Sequence, residues 1–148
     1  MRGSKTKMTL KNLIIAFIVL MTSQFAFADS TVKEDSPTIR KLNKCLQDSD
    51  NEPGMYRLWE DCYRIANKNY EGILTKAWKN ANEGISNQEL KKTLLEEQRL
   101  WIKWKEKACN IYDDREEFGR LGGIFRYGDC KLNILISRIK ELDMMSER

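Results

Sequence analysis

Catalysis needs a nucleophile, a general base or a metal, and this chain offers few of the residues that supply them. It has no histidine, so Ser–His and Cys–His mechanisms and the common zinc hydrolase sites are out of reach. Its four cysteines, Cys45, Cys62, Cys109 and Cys130, form no C-x-x-C pair, which argues against structural zinc and against covalently attached c-type haem. Two carboxylates are the minimum for glycoside hydrolysis, but Glu96 and Glu97 are neighbours that a helix would point about 100° apart, the habit of a solvated face. The segment Gly119-Arg120-Leu121-Gly122-Gly123 lacks the Lys-Ser/Thr of a phosphate-binding loop and the dinucleotide fingerprint. Lys103, Lys105 and Lys107 alternate around a helix among acids and make no nucleic-acid stripe. The expectation is a non-enzymatic protein with no cofactor, no metal and no nucleic-acid partner. What remains is recognition chemistry. Trp78 and Trp104 fall off the inner helical stripes that hold Trp59 and Trp101, which makes them candidate anchors for a protein partner. Asp113, Asp114, Glu116 and Glu117 form an acidic cluster beside glycines, placed as a loop.

The net charge of +4 across 148 residues informs about partners only if it belongs to the folded product. Arg2, Lys5, Lys7 and Lys11 lie in the first 28 residues, which contain no acid, so the remainder holds 22 basic against 22 acidic residues. Those 28 residues have the form of a secretory signal: a cationic start, the apolar run Leu13 to Met21, and Ala26-Phe27-Ala28 as the cleavage site. The run is shorter than the about 20 residues that span a bilayer, and no cysteine follows closely enough to be lipidated. A protein without a membrane anchor is expected, starting at Asp29, in the periplasm or secreted. In that oxidising setting four cysteines imply two disulfides.

Elements follow from periodicity. Asp29 to Asp35 is a polar, flexible lead-in, and a single helical domain spans 36–148. Ser36-Pro37 caps and opens a first helix carrying Ile39, Leu42, Cys45 and Leu46 to about Gln47. Asp48 to Gly54 is a turn. A second helix runs from Met55 to Asn80 with Met55, Trp59, Cys62, Ala66, Tyr70, Ile73 and Ala77 on one face. Ser86-Asn87-Gln88-Glu89 matches a capping box with Ser86 as its cap. It opens a third helix whose inner face carries Leu90, Leu94, Gln98, Trp101, Ala108 and Tyr112. Gln98 on that face needs hydrogen-bond partners. From Asp113 to Gly128 the glycine density predicts irregular backbone or close chain approach. A last helix begins near Asp129, with Leu132, Leu135, Ile139 and Leu142 buried. The fold class is an all-α antiparallel bundle of about four helices stapled by two disulfides.

In a helical hairpin, residues equidistant from the turn face one another. Cys45 and Cys62 centre on Pro53-Gly54, and Cys109 and Cys130 centre beside Gly119, which favours those two pairs. Cys62–Cys109, with Cys45–Cys130, also centres on a break and stays open.

The motif Leu95-x-x-Gln98-Arg99-x-Trp101-Ile102-x-x-x-x-x-x-Cys109 resembles the signature of the LprI-like lysozyme-inhibitor family of exported bacterial proteins. Cys62 with Asn67 and Tyr70 upstream, and Gly122-Gly123, Cys130 and Arg138…Leu142 downstream, extend the resemblance over nearly the whole domain. Asn67, Tyr70, Gln98, Arg99, Trp101, Gly122 and Gly123 are then scaffold positions. Ala66, Glu97 and Ile124 depart from the family's leucine, alanine and small hydroxyl residue. The resemblance implies an exported binding protein that occludes a peptidoglycan-cleaving muramidase, a host lysozyme or a rival's toxin; the placement of the acidic loop makes it the expected contact. The other expectation is a non-inhibitory envelope or stress module that binds a different protein through a patch at Trp78 or Trp104.

Overall fold

A computed structural model describes residues 36–147. The signal-type segment 1–28, the lead-in 29–35 and Arg148 lie outside the described residues. Four α-helices and one 3₁₀ turn follow in order: α1 (Pro37–Ser49), α2 (Met55–Gly84), α3 (Gln88–Ala108), η1 (Asn110–Asp113) and α4 (Arg115–Ser146).

Ser36 caps α1 as expected, its Oγ accepting from the Ile39 N–H at 3.2 Å, with Pro37 where its missing N–H costs no bond. The same hydroxyl shares a 2.6 Å hydrogen bond with the Tyr70 hydroxyl, so the cap also ties α1 to the middle of α2. The helix continues two residues past Gln47, and Ser49 Oγ donates to the Cys45 carbonyl at 2.7 Å. In the turn that follows, Asn51 (φ 69°) and Gly54 (φ 81°) take left-handed conformations. α2 runs on to Gly84 because its apolar period does not stop at Ala77: Ala81 is fully buried. On its inner face Leu74 is buried where Ile73 was expected, and Ile73 is exposed.

Two sequence expectations are corrected here. The cap of α3 is Asn87, not Ser86: its Oδ1 accepts from the Glu89 and Leu90 amides at 2.9 and 3.2 Å. Asn and Ser cap about equally well, so the sequence could not rank neighbours that differ by one position of register. The second correction concerns the glycine-rich stretch, which is helical. α4 starts at Arg115, with one non-helical residue inside it, Gly119 (φ 65°, ψ 167°). Asp129 therefore lies well inside the last helix and does not start it. The reason is close approach. A Cβ on Gly128 would lie 2.3 to 2.5 Å from the Tyr63 ring, and one on Gly123 would lie 3.2 Å from the Tyr112 carbonyl oxygen. A helical glycine costs about 1 kcal/mol against alanine, and the seam between α2 and α4 requires it.

Both favoured disulfides are formed, Cys45–Cys62 and Cys109–Cys130, with Cα separations of 5.8 and 5.9 Å. This sets aside the crossed pairing. Each closes a short loop, a constraint of about 3 kcal/mol in the chain-entropy view. The core lies mainly along α2 and α4, where Trp59, Ala66, Leu74, Ala77 and Ala81 meet Leu132, Leu135, Ile139 and Leu142. Phe125 rests against Trp59 and Tyr63 with ring centroids 5.2 and 6.0 Å away. α1 packs on α2, and η1 packs on α4 and α3. Of the residues within α3, Leu94 and Gln98 are buried.

Candidate functional site

The sequence-derived scaffold positions do different jobs. Gln98 finds the partner its burial demands: its Oε1 accepts from Arg138 Nε at 2.9 Å. Arg138 is itself 2% exposed. Its two terminal nitrogens donate to both Glu97 oxygens at 2.8 Å, and Nη1 also donates to Glu141 Oε2 at 2.9 Å. Burial works against the charge, but the hydrogen bonds Arg138 donates to Glu97 and then to Glu141 outweigh it and hold the guanidinium above its ordinary pKa. Trp101, half-buried, places its ring 5.8 Å from the Arg138 guanidinium carbon and 5.8 Å from Lys105 Nζ. Glu97 keeps its side chain half in solvent, as a solvated pair predicts, but it also binds Arg138 bidentately across the helices. Glu97 and Glu141 converge, but on a cation, so they form an ion-pair cluster and not a free acid–base pair.

Asn67 Nδ2 donates to the Tyr63 carbonyl at 2.9 Å within its own helix. Gly123 admits the Tyr112 carbonyl, while Gly122 has only ordinary contact with Phe118. Arg99 is exposed on the outer side of α3.

The candidate partner-binding residues separate as well. Trp78 does not stand free; it is partly buried against the core. Trp104 is 55% exposed and, with Trp101 and Tyr112, lines a groove of about 610 Å³ between α3 and α4. Asp129, Asn133, Ser137 and Glu141 supply its polar side.

The acidic cluster is not on a loop. Asp113 ends η1, Asp114 caps α4 by accepting from the Glu116 and Glu117 amides at 3.0 and 3.1 Å, and Glu116 and Glu117 occupy the first helical turn. Acids are favoured there because unpaired N–H groups and the helix dipole both attract negative charge, typically by about 0.3 to 1 kcal/mol each. All four remain exposed, and the buried Cys109 of the second disulfide anchors the turn from beneath. Ile111, in the same 3₁₀ turn, is 67% exposed. Sequence reasoning missed it because the helical period of α3 carries through to Tyr112, which leaves its neighbour Ile111 without a role. An exposed apolar side chain just ahead of four exposed acids on a disulfide-held turn has the composition of a docking anchor beside a charged rim.

A second groove, of about 740 Å³, lies along α2 and α4. Its base includes Tyr63, whose hydroxyl donates to Asp129 Oδ1 at 2.8 Å. Burial first, and then the hydrogen bond and charge of Asp129, hold that phenol well above its usual pKa.

A protein-family model described as lysozyme inhibitor LprI matches residues 38–142. No curated protein and no solved structure matches the chain. The matched span begins in the first turn of α1, ends at the buried Leu142 of α4, and takes in both disulfides, the Gln98–Arg138 contact and the acidic turn. With more than two thirds of its length under that model, the chain belongs to the LprI lysozyme-inhibitor family.

Proposed function

We propose that this protein is exported to the periplasm, where it occludes the cleft of a peptidoglycan-cleaving muramidase by presenting the turn around Ile111. Family membership supports an inhibitor-like role. The observation that carries the choice of surface is the exposed Ile111 followed by the exposed Asp113, Asp114, Glu116 and Glu117 on a turn tethered by Cys109–Cys130. An apolar tip can enter a cleft, and carboxylates around it complement a cationic enzyme and speed encounter. The tether lowers the ordering cost of docking.

The test is a cell-wall turbidity assay with lysozymes of several classes. Changing the four acids to serine keeps a capping side chain at position 114 and is expected to weaken inhibition about tenfold or more and flatten its salt dependence. Unchanged inhibition removes this turn from the mechanism. A second reading, a non-inhibitory envelope module, draws on α3, where Leu100 and Trp104 are 66% and 55% exposed. Absence of inhibition of every lysozyme class, together with loss of binding to an envelope protein on Trp104→Ala, favours that reading.

A further inference from the structure

The α2–α4 groove has a different character from the acidic turn. Its base is apolar and buried: Tyr63, Gly123, Ile124, Gly128 and Leu135. Its rim is cationic, with Arg64 and Lys68 from α2, Lys105 from α3, and Arg115, Arg120 and Lys131 from α4. Against these six stand three acids, Glu60, Glu71 and Asp113. Two of the cations are already neutralised, Arg64 by Asp61 at 3.0 Å and Lys105 by Glu71 at 3.1 Å. Among the described residues, Lys68, Arg115, Arg120 and Lys131 form no ion pair. Arg120 lies 4.7 Å over the Tyr56 ring and Lys131 5.2 Å from the Tyr127 ring centre. A ring face orients a cation without cancelling its charge, so positive potential is left along the rim.

The dimensions narrow the occupant. From Arg120 to Leu135 the helix rises about 22 Å at 1.5 Å per residue, so the groove is on the order of 20 Å long. Spread over that length, a volume of about 740 Å³ makes a narrow cleft. An extended chain fits, and about six residues cover the length at roughly 3.3 Å each. The cations occur along the whole length, from Arg115 and Arg120 near one end to Lys68 and Lys131 toward the other. A ligand with a single charged end would leave half of them unused. In an extended peptide, alternate side chains point to opposite sides. One set can therefore enter the apolar base while the other meets the rim.

From this charge and shape complementarity we infer that the α2–α4 groove is a binding site for an extended acidic peptide segment in which carboxylate and apolar side chains alternate. The site adjoins the acidic turn at Asp113 but is opposite to it in sign, and it does not depend on the muramidase reading. It gives the protein a second partner, or a second segment of the same one, carrying negative charge.

The test uses the purified protein and a capped hexapeptide of alternating Glu and Leu, followed by amide chemical-shift titration. Saturable binding with a Kd of about 10 to 500 μM is expected, with shifts at Gly123, Gly128 and Lys131 and weakening as salt rises from about 0.05 to 0.3 M. The double variant Lys68→Glu/Lys131→Glu, at an exposed and a half-buried position with no ion-pair partner to lose, is expected to bind at least about tenfold more weakly. The milder Lys68→Gln/Lys131→Gln variant is expected to fall between it and the parent. Circular dichroism should be the same for all three. The proposal is overturned if a Lys–Leu hexapeptide binds as well, if shifts map outside the groove, or if the charge-reversed variant binds unchanged. It is also overturned if a six-residue thymidine oligonucleotide binds more tightly than the peptide, or if no saturation is seen at about 5 mM peptide. None of these readouts involves lysozyme, so failure here leaves the inhibition assay unaffected.

Discussion

Where α2 meets α4, a glycine lets an aromatic ring lie directly on a helix backbone, and the surroundings are apolar: Tyr63 against Gly128, with Phe125, Leu132 and Leu135 close by. Where α3 meets the rest of the molecule, the central contact is a buried arginine held by an amide and two carboxylates, Arg138 with Gln98, Glu97 and Glu141. The first seam excludes water from shape-matched surfaces and tolerates almost no change in volume. The second has one end in solvent, since the Glu97 and Glu141 side chains are 51% and 52% exposed, and each contributes less than a fully buried ion pair would. The difference shows in what the helices leave uncovered. α3 keeps Leu95, Leu100, Ile102 and Trp104 exposed while its inner face is satisfied by few residues. The core is thus concentrated in α2 and α4, while α3 presents an apolar outer surface.

The largest effect should come from filling the glycine seam. Gly128→Val is expected to destabilise by about 3 kcal/mol or more, seen in urea unfolding, because the added carbons collide with the Tyr63 ring. Adding Tyr63→Leu should recover part of that loss; if the two changes simply add, the contact is not the cause.

Removing the arginine should come next. Arg138→Met leaves the Gln98 oxygen buried and unpaired, for an expected loss of about 2 to 3 kcal/mol. Adding Gln98→Leu should return about 1 kcal/mol, since no buried polar atom is then orphaned. Equal stability of the single and double variants would show that the carboxylates, not the amide, carry the interaction.

A smaller effect appears in alkaline solution. The folded Tyr63 phenol titrates above its unfolded value of 10.0, so its neutral form is favoured by folding. Its contribution is complete below that unfolded value and is lost as pH rises through the folded one. Tyr63→Phe should cost about 1 kcal/mol at neutral pH for the lost hydrogen bond, yet lose less than the parent as the solution is made alkaline. Parallel pH profiles would mean that another group governs alkaline unfolding.

The smallest change is expected at Trp104→Ala, within about 0.5 kcal/mol of the parent because the ring is mostly exposed. A large loss would mean that α3 depends on this ring for its position, and the contrast between the seams would have to be redrawn.

Much of this could be read along the chain. The α1–α2 hairpin was legible because each of its signals is local: a serine before a proline, apolar residues at helical steps, and a turn centred between two cysteines. The second disulfide was legible for the same geometric reason. The segment after Asp113 was not. Glycine's low helix propensity dominates any local reading, and the ring that makes Gly128 necessary lies 65 residues earlier. The candidate site was legible in part. The acids stood out as a cluster, but their attachment to a capped helix start, and Ile111 among them, appeared only in three dimensions. Trp78 and Trp104 looked alike off their stripes, and neighbouring helices buried one and not the other.

By itself the sequence determined an all-α, twice-stapled domain without histidine, because composition, period and spacing are properties of the chain alone. Only tertiary structure decided that Arg138 goes inside, that Glu97 pairs with it 41 residues away, and that cations from three helices ring one groove. Those arrangements depend on which helix faces come together. That is set by the packing of Tyr63 on Gly128 and its neighbours, an interaction between distant segments that no local pattern encodes.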